Sequence, residues 1–305
     1  MGAMIPIGIK VVVAGLLGFG LRKTGLVSGQ LASHLGKLLL LVIAPLAILG
    51  AASQPHSGQM GSTLTTAAVI SAVYFLAAIL LAIAVSKVFG FRQPEGRAFV
   101  CLSTFPNMTY IGIPLVTEMF GPAGLMCAVV GNLMFNLVFF TFAEAYMGTA
   151  GKASLKALIK SPVVLACLAA VVLFLTQLPV PSPVVSGLAV VSWVMGPLAM
   201  MIVGFGLAEA YLGDLIRNGL GYLASFLRLI FWPLVVLSLG RLVGLDPLAV
   251  GVMAVLFGLP CGTMTVILAA RDRVAYSFTA GAVVQSNVLM FASLPLVFWL
   301  VTAWV

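Results

Sequence analysis

Runs of eighteen or more apolar residues recur along this chain, separated by stretches only a few residues long. A run of that length crosses a hydrocarbon core of about 30 Å as a helix, with its backbone groups bonded within the segment. Ten spans can be placed, near residues 5–21, 32–52, 64–87, 97–119, 124–147, 155–177, 184–208, 217–242, 248–270 and 276–303. A transmembrane β-barrel would instead alternate apolar and polar residues in strands of about 10 residues, and that alternation is absent. Composition points the same way. Of 305 residues 62% are hydrophobic and 7% charged, with a mean hydropathy of +1.23, whereas soluble domains carry roughly a quarter charged residues. The expected fold class is an all-α membrane protein of ten transmembrane helices. The loops leave no room for an extramembrane domain, and Ile5 to Leu21 reads as a first span rather than a cleaved signal.

The net charge of +8 is explained by where it sits. The first, third, fifth, seventh and ninth loops, with the span ends beside them, hold Arg22, Lys23, Lys37, Lys87, Arg92, Arg97, Lys152, Lys156, Lys160, Arg217, Arg271 and Arg273. The even loops hold Arg241, and Lys10 and Arg228 fall within spans. Twelve against one places the odd loops in the cytoplasm and both termini outside. Trp193, Trp299 and Trp304 then fall toward the outer interface, where aromatic residues gather. The basic balance therefore expresses topology, and no nucleic-acid partner is expected. The partners expected are membrane lipid and a small solute.

Ten spans with short loops divide into two halves of five, residues 1–150 and 151–305. Pro45-Leu46-Ala47 in the second span recurs as Pro197-Leu198-Ala199 in the seventh, 152 residues on (197 − 45). Pro106 in the fourth recurs as Pro260 in the ninth, 154 on (260 − 106), and Glu118 as Asp272, again 154 on (272 − 118). Because five is odd, the second half must be inverted relative to the first, an arrangement common among secondary transporters.

Two of the matched spans are interrupted. The fourth reads Leu102-Ser103-Thr104-Phe105-Pro106-Asn107-Met108-Thr109-Tyr110-Ile111-Gly112, and the ninth Phe257-Gly258-Leu259-Pro260-Cys261-Gly262-Thr263-Met264-Thr265. Proline removes a backbone donor and clashes with the preceding turn, and irregular backbone at that depth is tolerated inside protein or beside a polar cavity. If the breaks meet, half-helix N-termini near Met108 and Thr263 point at one site near the midplane. Such ends carry partial positive charge and free N–H donors, which suits a carboxylate without any buried cation. Asn107, Thr109, Tyr110, Thr263 and Thr265 would add side-chain contacts.

Other intramembrane polar groups are Asn132 and Asn136, one turn apart on the fifth span, and Gln285, Ser286 and Asn287 on the tenth. They either join helices or line a substrate path. Arg228 either holds a substrate charge or makes a structural pairing. Glu118, Glu144 and Glu209 read as interfacial, and His34 and His56 as loop residues. Cys101, Cys127, Cys167 and Cys261 lie in apolar spans without metal-ligand spacing. They read as small buried hydrophobes, so no metal or cofactor is expected. Neither a catalytic motif nor a catalytic pairing is present, so an enzyme is not expected.

The segment from Phe105 to Leu115, with its Asn107 and its closing Gly112-Ile113-Pro114-Leu115, resembles the fourth helix of the auxin efflux carrier family. Leu259-Pro260, Ile267-Leu268-Ala269-Ala270 and Ser293-Leu294-Pro295-Leu296 are similar to its ninth and tenth helices. Phe226-Leu227-Arg228-Leu229-Ile230 with Pro233 is similar to its eighth. The resemblance covers nearly the whole chain and implies two inverted five-helix repeats, with helices 4 and 9 crossing at their prolines. It implies a scaffold of helices 1, 2, 6 and 7, often the dimer surface, and a moving transport domain of helices 3–5 and 8–10. Cys261-Gly262 departs from the small hydroxyl residues of plant members, and their long central loop is missing. The likeness is therefore to a bacterial member carrying small organic acids, in an inner or plasma membrane. The related sodium–bile acid symporters place an acid beside the ninth-helix proline, and none stands here.

The substrate-binding residues expected are Pro106, Asn107, Met108, Thr109, Tyr110, Asn132, Asn136, Pro260, Cys261, Gly262, Thr263 and Asn287. The expected function is secondary transport of a small organic anion by elevator-like alternating access, the protein being a homodimer. A cation-coupled symporter of related fold, a channel-like pore and a non-transporting sensor are the alternatives.

Overall fold

The computed structural model describes residues 4–54, 58–148, 159–209 and 218–304. Lys152, Lys156, Arg217 and His56 lie outside these. The described residues form helices α1 Met4–Lys23, α2 Gly29–Ala52, α3 Met60–Val88, α4 Glu95–Thr104 and α5 Met108–Met147. After them come α6 Pro162–Thr176, α7 Ser182–Glu209, α8 Gly219–Val243, α9 Pro247–Phe257, α10 Thr263–Asp272 and α11 Tyr276–Trp304. Among the described residues there is no strand, and one isolated antiparallel bridge joins Pro106 to Cys261. Among the described residues six helical runs are long and apolar enough to cross a membrane: α2, α3, α5, α7, α8 and α11. Together with the apolar exteriors this makes a multi-pass membrane protein.

Each helix sorts its faces by what surrounds it. In α3, whose 29 residues extend about 43 Å at 1.5 Å per residue, Val69, Val73, Leu76 and Leu80 are exposed along one stripe. Ser71, Tyr74, Phe75, Ala78 and Ala82 are buried on the other. An apolar stripe facing outward is unfavourable in water and neutral in lipid. Trp193 and Trp299 also face outward.

The expected fourth and ninth spans are each divided. The fourth is α4 followed by the start of α5, and the ninth is α9 followed by α10. Within α5 the chain turns at Gly121, whose φ of 63° and ψ of −156° lie where only glycine rests without strain. That turn separates the rest of the fourth span from the fifth. Four π-helical turns interrupt the longer helices, at Leu39–Ile43, Met108–Gly112, Phe139–Ala143 and Leu227–Phe231.

Helices α1 and α7 form the most extensive pair, with α2 packed on α6 and α7. The α1–α7 approach brings main chain against main chain. A Cβ on Gly18 would lie 2.7 Å from Met201 Cα, and one on Gly204 2.7 Å from the Phe19 nitrogen. Elsewhere α3 packs on α4, α5 and α9, and α8 on α9 and α11. One sequence expectation is corrected here. His34 is on the exposed first turns of α2 rather than in a loop, its Nδ1 2.7 Å from the Gln30 carbonyl. Glu144, near the end of α5, is buried. Arg271 grips both of its carboxylate oxygens, at 3.0 and 2.6 Å, and such a bidentate contact makes burial of the charge tolerable.

Candidate functional site

Where α4 and α9 end, their chains run past each other as short extended segments. The Asn107 N–H donates to the Pro260 carbonyl (2.9 Å), and the Gly262 N–H donates to the Phe105 carbonyl (2.8 Å). Each segment thus gives one N–H and one carbonyl to the other, which satisfies part of the backbone freed at the breaks. Gly262 is required by the approach itself. A Cβ there would stand 2.9 Å from the carbonyl oxygens of both Phe105 and Pro106.

Beyond the crossing, α5 and α10 begin at Met108 and Thr263, and their N-termini are tied by Asn107, whose amide nitrogen donates to the Thr263 hydroxyl at 2.9 Å. A helix start leaves N–H groups without intrahelical partners and carries partial positive charge. Beside them lies a cavity of about 110 Å³ lined by Pro106, Asn107, Met108, Thr109, Tyr110, Asn136 and Thr263, with Met264, Phe135 and Phe140. Leu40 and Leu41 of α2 and Ser161, Pro162 and Val163 at the start of α6 close its other wall. At roughly 10–15 Å³ of such space per water the cavity holds several waters or a small solute. Asn132 stands behind this wall. It donates to the Thr109 hydroxyl (3.0 Å) and accepts from the Asn136 amide (2.8 Å), which fixes two lining side chains.

Seven of the twelve residues expected from sequence therefore line one cavity. Pro260, Cys261 and Gly262 form the crossing strand beneath it, and the Cys261 N–H is held by the Ser286 hydroxyl at 3.0 Å. Asn287, on α11, is not among the lining residues, and Thr265 is fully buried beneath them. The lining residues of α2 and α6, all apolar but Ser161, were missed. Three of the four π turns supply lining residues: Leu40 and Leu41, Met108 to Tyr110, and Phe140. Such turns collect at functional sites because they leave the helical ladder locally loosened.

The fourth π turn carries Arg228, which is completely buried. Its Nε donates to the Leu259 carbonyl (3.2 Å), and one Nη donates to the Thr104 carbonyl (3.1 Å) and to the Tyr74 hydroxyl. Tyr74 itself donates to the Thr104 carbonyl at 2.7 Å and stacks on Phe257 with centroids 3.7 Å apart. The guanidinium thus meets the negative ends of the two half-helices whose successors present positive ends to the cavity. It is a structural pairing, and it does not line the cavity.

A family model described as membrane transport protein matches residues 4–152 and 146–300. The chain belongs to the auxin efflux carrier family. A similar curated protein is an uncharacterized transporter of Methanocaldococcus jannaschii, 24% identical over 277 residues, which cover 87% of this chain and 89% of that one. Membership makes the chain a membrane transporter rather than a member of an enzyme family.

Proposed function

We propose that this auxin efflux carrier family member is a secondary carrier for a small organic anion, which binds by its carboxylate at the crossover and moves by an elevator-like alternation. The observation that carries the reading is the meeting of two half-helix N-termini, tied by Asn107 and Thr263, at a largely apolar cavity to which Asn107, Thr109, Tyr110, Asn136 and Thr263 bring amides and hydroxyls. Donors without a fixed countercharge suit an anion. The carbonyls of Thr104 and Leu259 are already bound by Arg228, so neither is open to a coupled cation.

In this reading the chain has ten spans as two inverted sets of five, with both termini on the outer face. The backbone contact of α1 with α7 and the packing of α2 on α6 and α7 support a scaffold of α1, α2, α6 and α7. The remaining helices carry the crossover, and a second copy docks on the scaffold. The test is uptake of radiolabelled mono- and dicarboxylates into proteoliposomes, with trans-stimulation by internal substrate. Accumulation of a carboxylate that is accelerated by counterflow supports a carrier. Absence of uptake for every acid tried, or flux without trans-stimulation, overturns it.

A further inference from the structure

On the face opposite the mouth formed by α2 and α6 lies a second, larger cavity of about 690 Å³. Its walls are α1 (Val13, Leu17), α2 (Ala47, Ala51), α7 (Met200, Met201) and α5 on both sides of its turn (Leu115 before Gly121, Leu125 after it). Here the α1–α7 pair and the crossover-bearing helices stand apart rather than in close contact. A polar tie spans the gap: Lys10 Nζ on α1 donates to Glu118 Oε1 on α5 at 2.6 Å, and both residues line the cavity. Glu118 lies eleven residues past Asn107 (118 − 107), on the same arm that begins at the crossing, so any displacement of the crossover carries it along.

Other ion pairs behave differently. Arg22 to Glu209 (2.7 Å) joins α1 to α7, within one group of helices. Arg271 to Glu144 (2.6 Å) joins α10 to α5, within the other. Asp272, the counterpart of Glu118 at the 154-residue offset (272 − 118), is held by the same Arg271 at 2.7 Å.

We propose that Lys10 and Glu118 form a state-dependent latch. The pair is closed when the crossover cavity opens between α2 and α6, and broken when α3–α5 and α8–α11 slide toward the N-terminal end of α1. This rests on the carrier reading and names the residues that set its resting state. Both side chains are partly exposed, 67% and 37%, so the pair contributes modestly. An exposed pair of this kind shifts a two-state equilibrium about two- to fivefold.

The test attaches spin labels at Leu26→Cys, beyond α1, and Phe89→Cys, at the end of α3. Both sites are exposed, 73% and 68%, while the four natural cysteines are buried. Distance distributions are measured by double electron–electron resonance on the full chain in lipid nanodiscs. Glu118→Gln and Lys10→Gln should each move population toward a second distance about two- to fivefold, and the exchange Lys10→Glu with Glu118→Lys should restore the original distribution. The latch is overturned if the single variants leave the distribution unchanged while carboxylate transport is measurable. It is equally overturned if the exchange behaves as the sum of two independent losses. If the distributions respond as expected but no carboxylate is carried, the latch stands and the substrate reading falls.

Discussion

The amide of Asn107 and the hydroxyl of Thr263, 156 residues apart in the chain, meet at 2.9 Å and join the starts of two helices that belong to different halves of the protein. The crossing beneath them is held by backbone bonds, Asn107 N–H to Pro260 and Gly262 N–H to Phe105. The side chains are therefore free to serve a ligand.

Asn107→Ala should leave the fold intact and weaken transport. Loss of one such contact costs about 1–3 kcal/mol, which is about five- to a hundredfold in apparent affinity. The check is substrate concentration dependence in proteoliposomes beside an unchanged melting curve. Uptake equal to that of the parent protein would place the site elsewhere.

Arg228→Met should act in the opposite way, through stability. It orphans the Leu259 carbonyl and leaves the Thr104 carbonyl only the Tyr74 hydroxyl, all deep in the protein. Hydrogen bonds to a charged group are worth about 1.5–3 kcal/mol each, whereas Tyr74→Phe, which leaves the guanidinium and both carbonyls paired, costs about 1–2 kcal/mol. Thermal unfolding in detergent should rank the parent protein above Tyr74→Phe, and Tyr74→Phe above Arg228→Met.

Gly262→Ala should abolish transport, because its Cβ meets two carbonyl oxygens at 2.9 Å and neither belongs to a side chain that can swing aside. Gly206→Ala, on α7, has nothing within 4 Å of the new methyl and should be neutral. Uptake per folded carrier, with both proteins normalised by size-exclusion yield, compares them.

Orientation has its own check. A periplasmic reporter enzyme fused after Val305 should be active, and a cytoplasmic fluorophore fused there should be dark. The reverse result would invert the topology read from the loop lysines and arginines.

Much of the site was legible in the sequence because proline acts locally. Pro106 and Pro260 cost a donor wherever they stand, and their small polar neighbours have no reason to sit in lipid. Periodicity likewise exposed the apolar runs. What was not legible depends on distance in the chain. Arg228, Tyr74, Thr104 and Leu259 come from four separate segments, and nothing in any one of them shows that a buried guanidinium will find two helix ends. Asn287 carries the same amide as Asn136, yet it does not line the cavity, and with Gln285, Ser286 and Asn287 consecutive on α11 the sequence does not show which of them faces it. The burial of Glu144 was illegible for a similar reason, since its partner Arg271 is 127 residues away.

The seam between α1 and α7 has a mechanical consequence. Side-chain interfaces can slip, because rotamers rearrange and one groove resembles the next. At Gly18 and Gly204 the opposing main chains leave no space for a side chain, and a shift of either helix by a single residue would bring a Cβ into that space. The seam is a weld. It confines motion to the other surfaces of the protein, and it makes two inconspicuous hydrogen atoms, the missing side chains of these glycines, the fixed frame against which any stroke is measured.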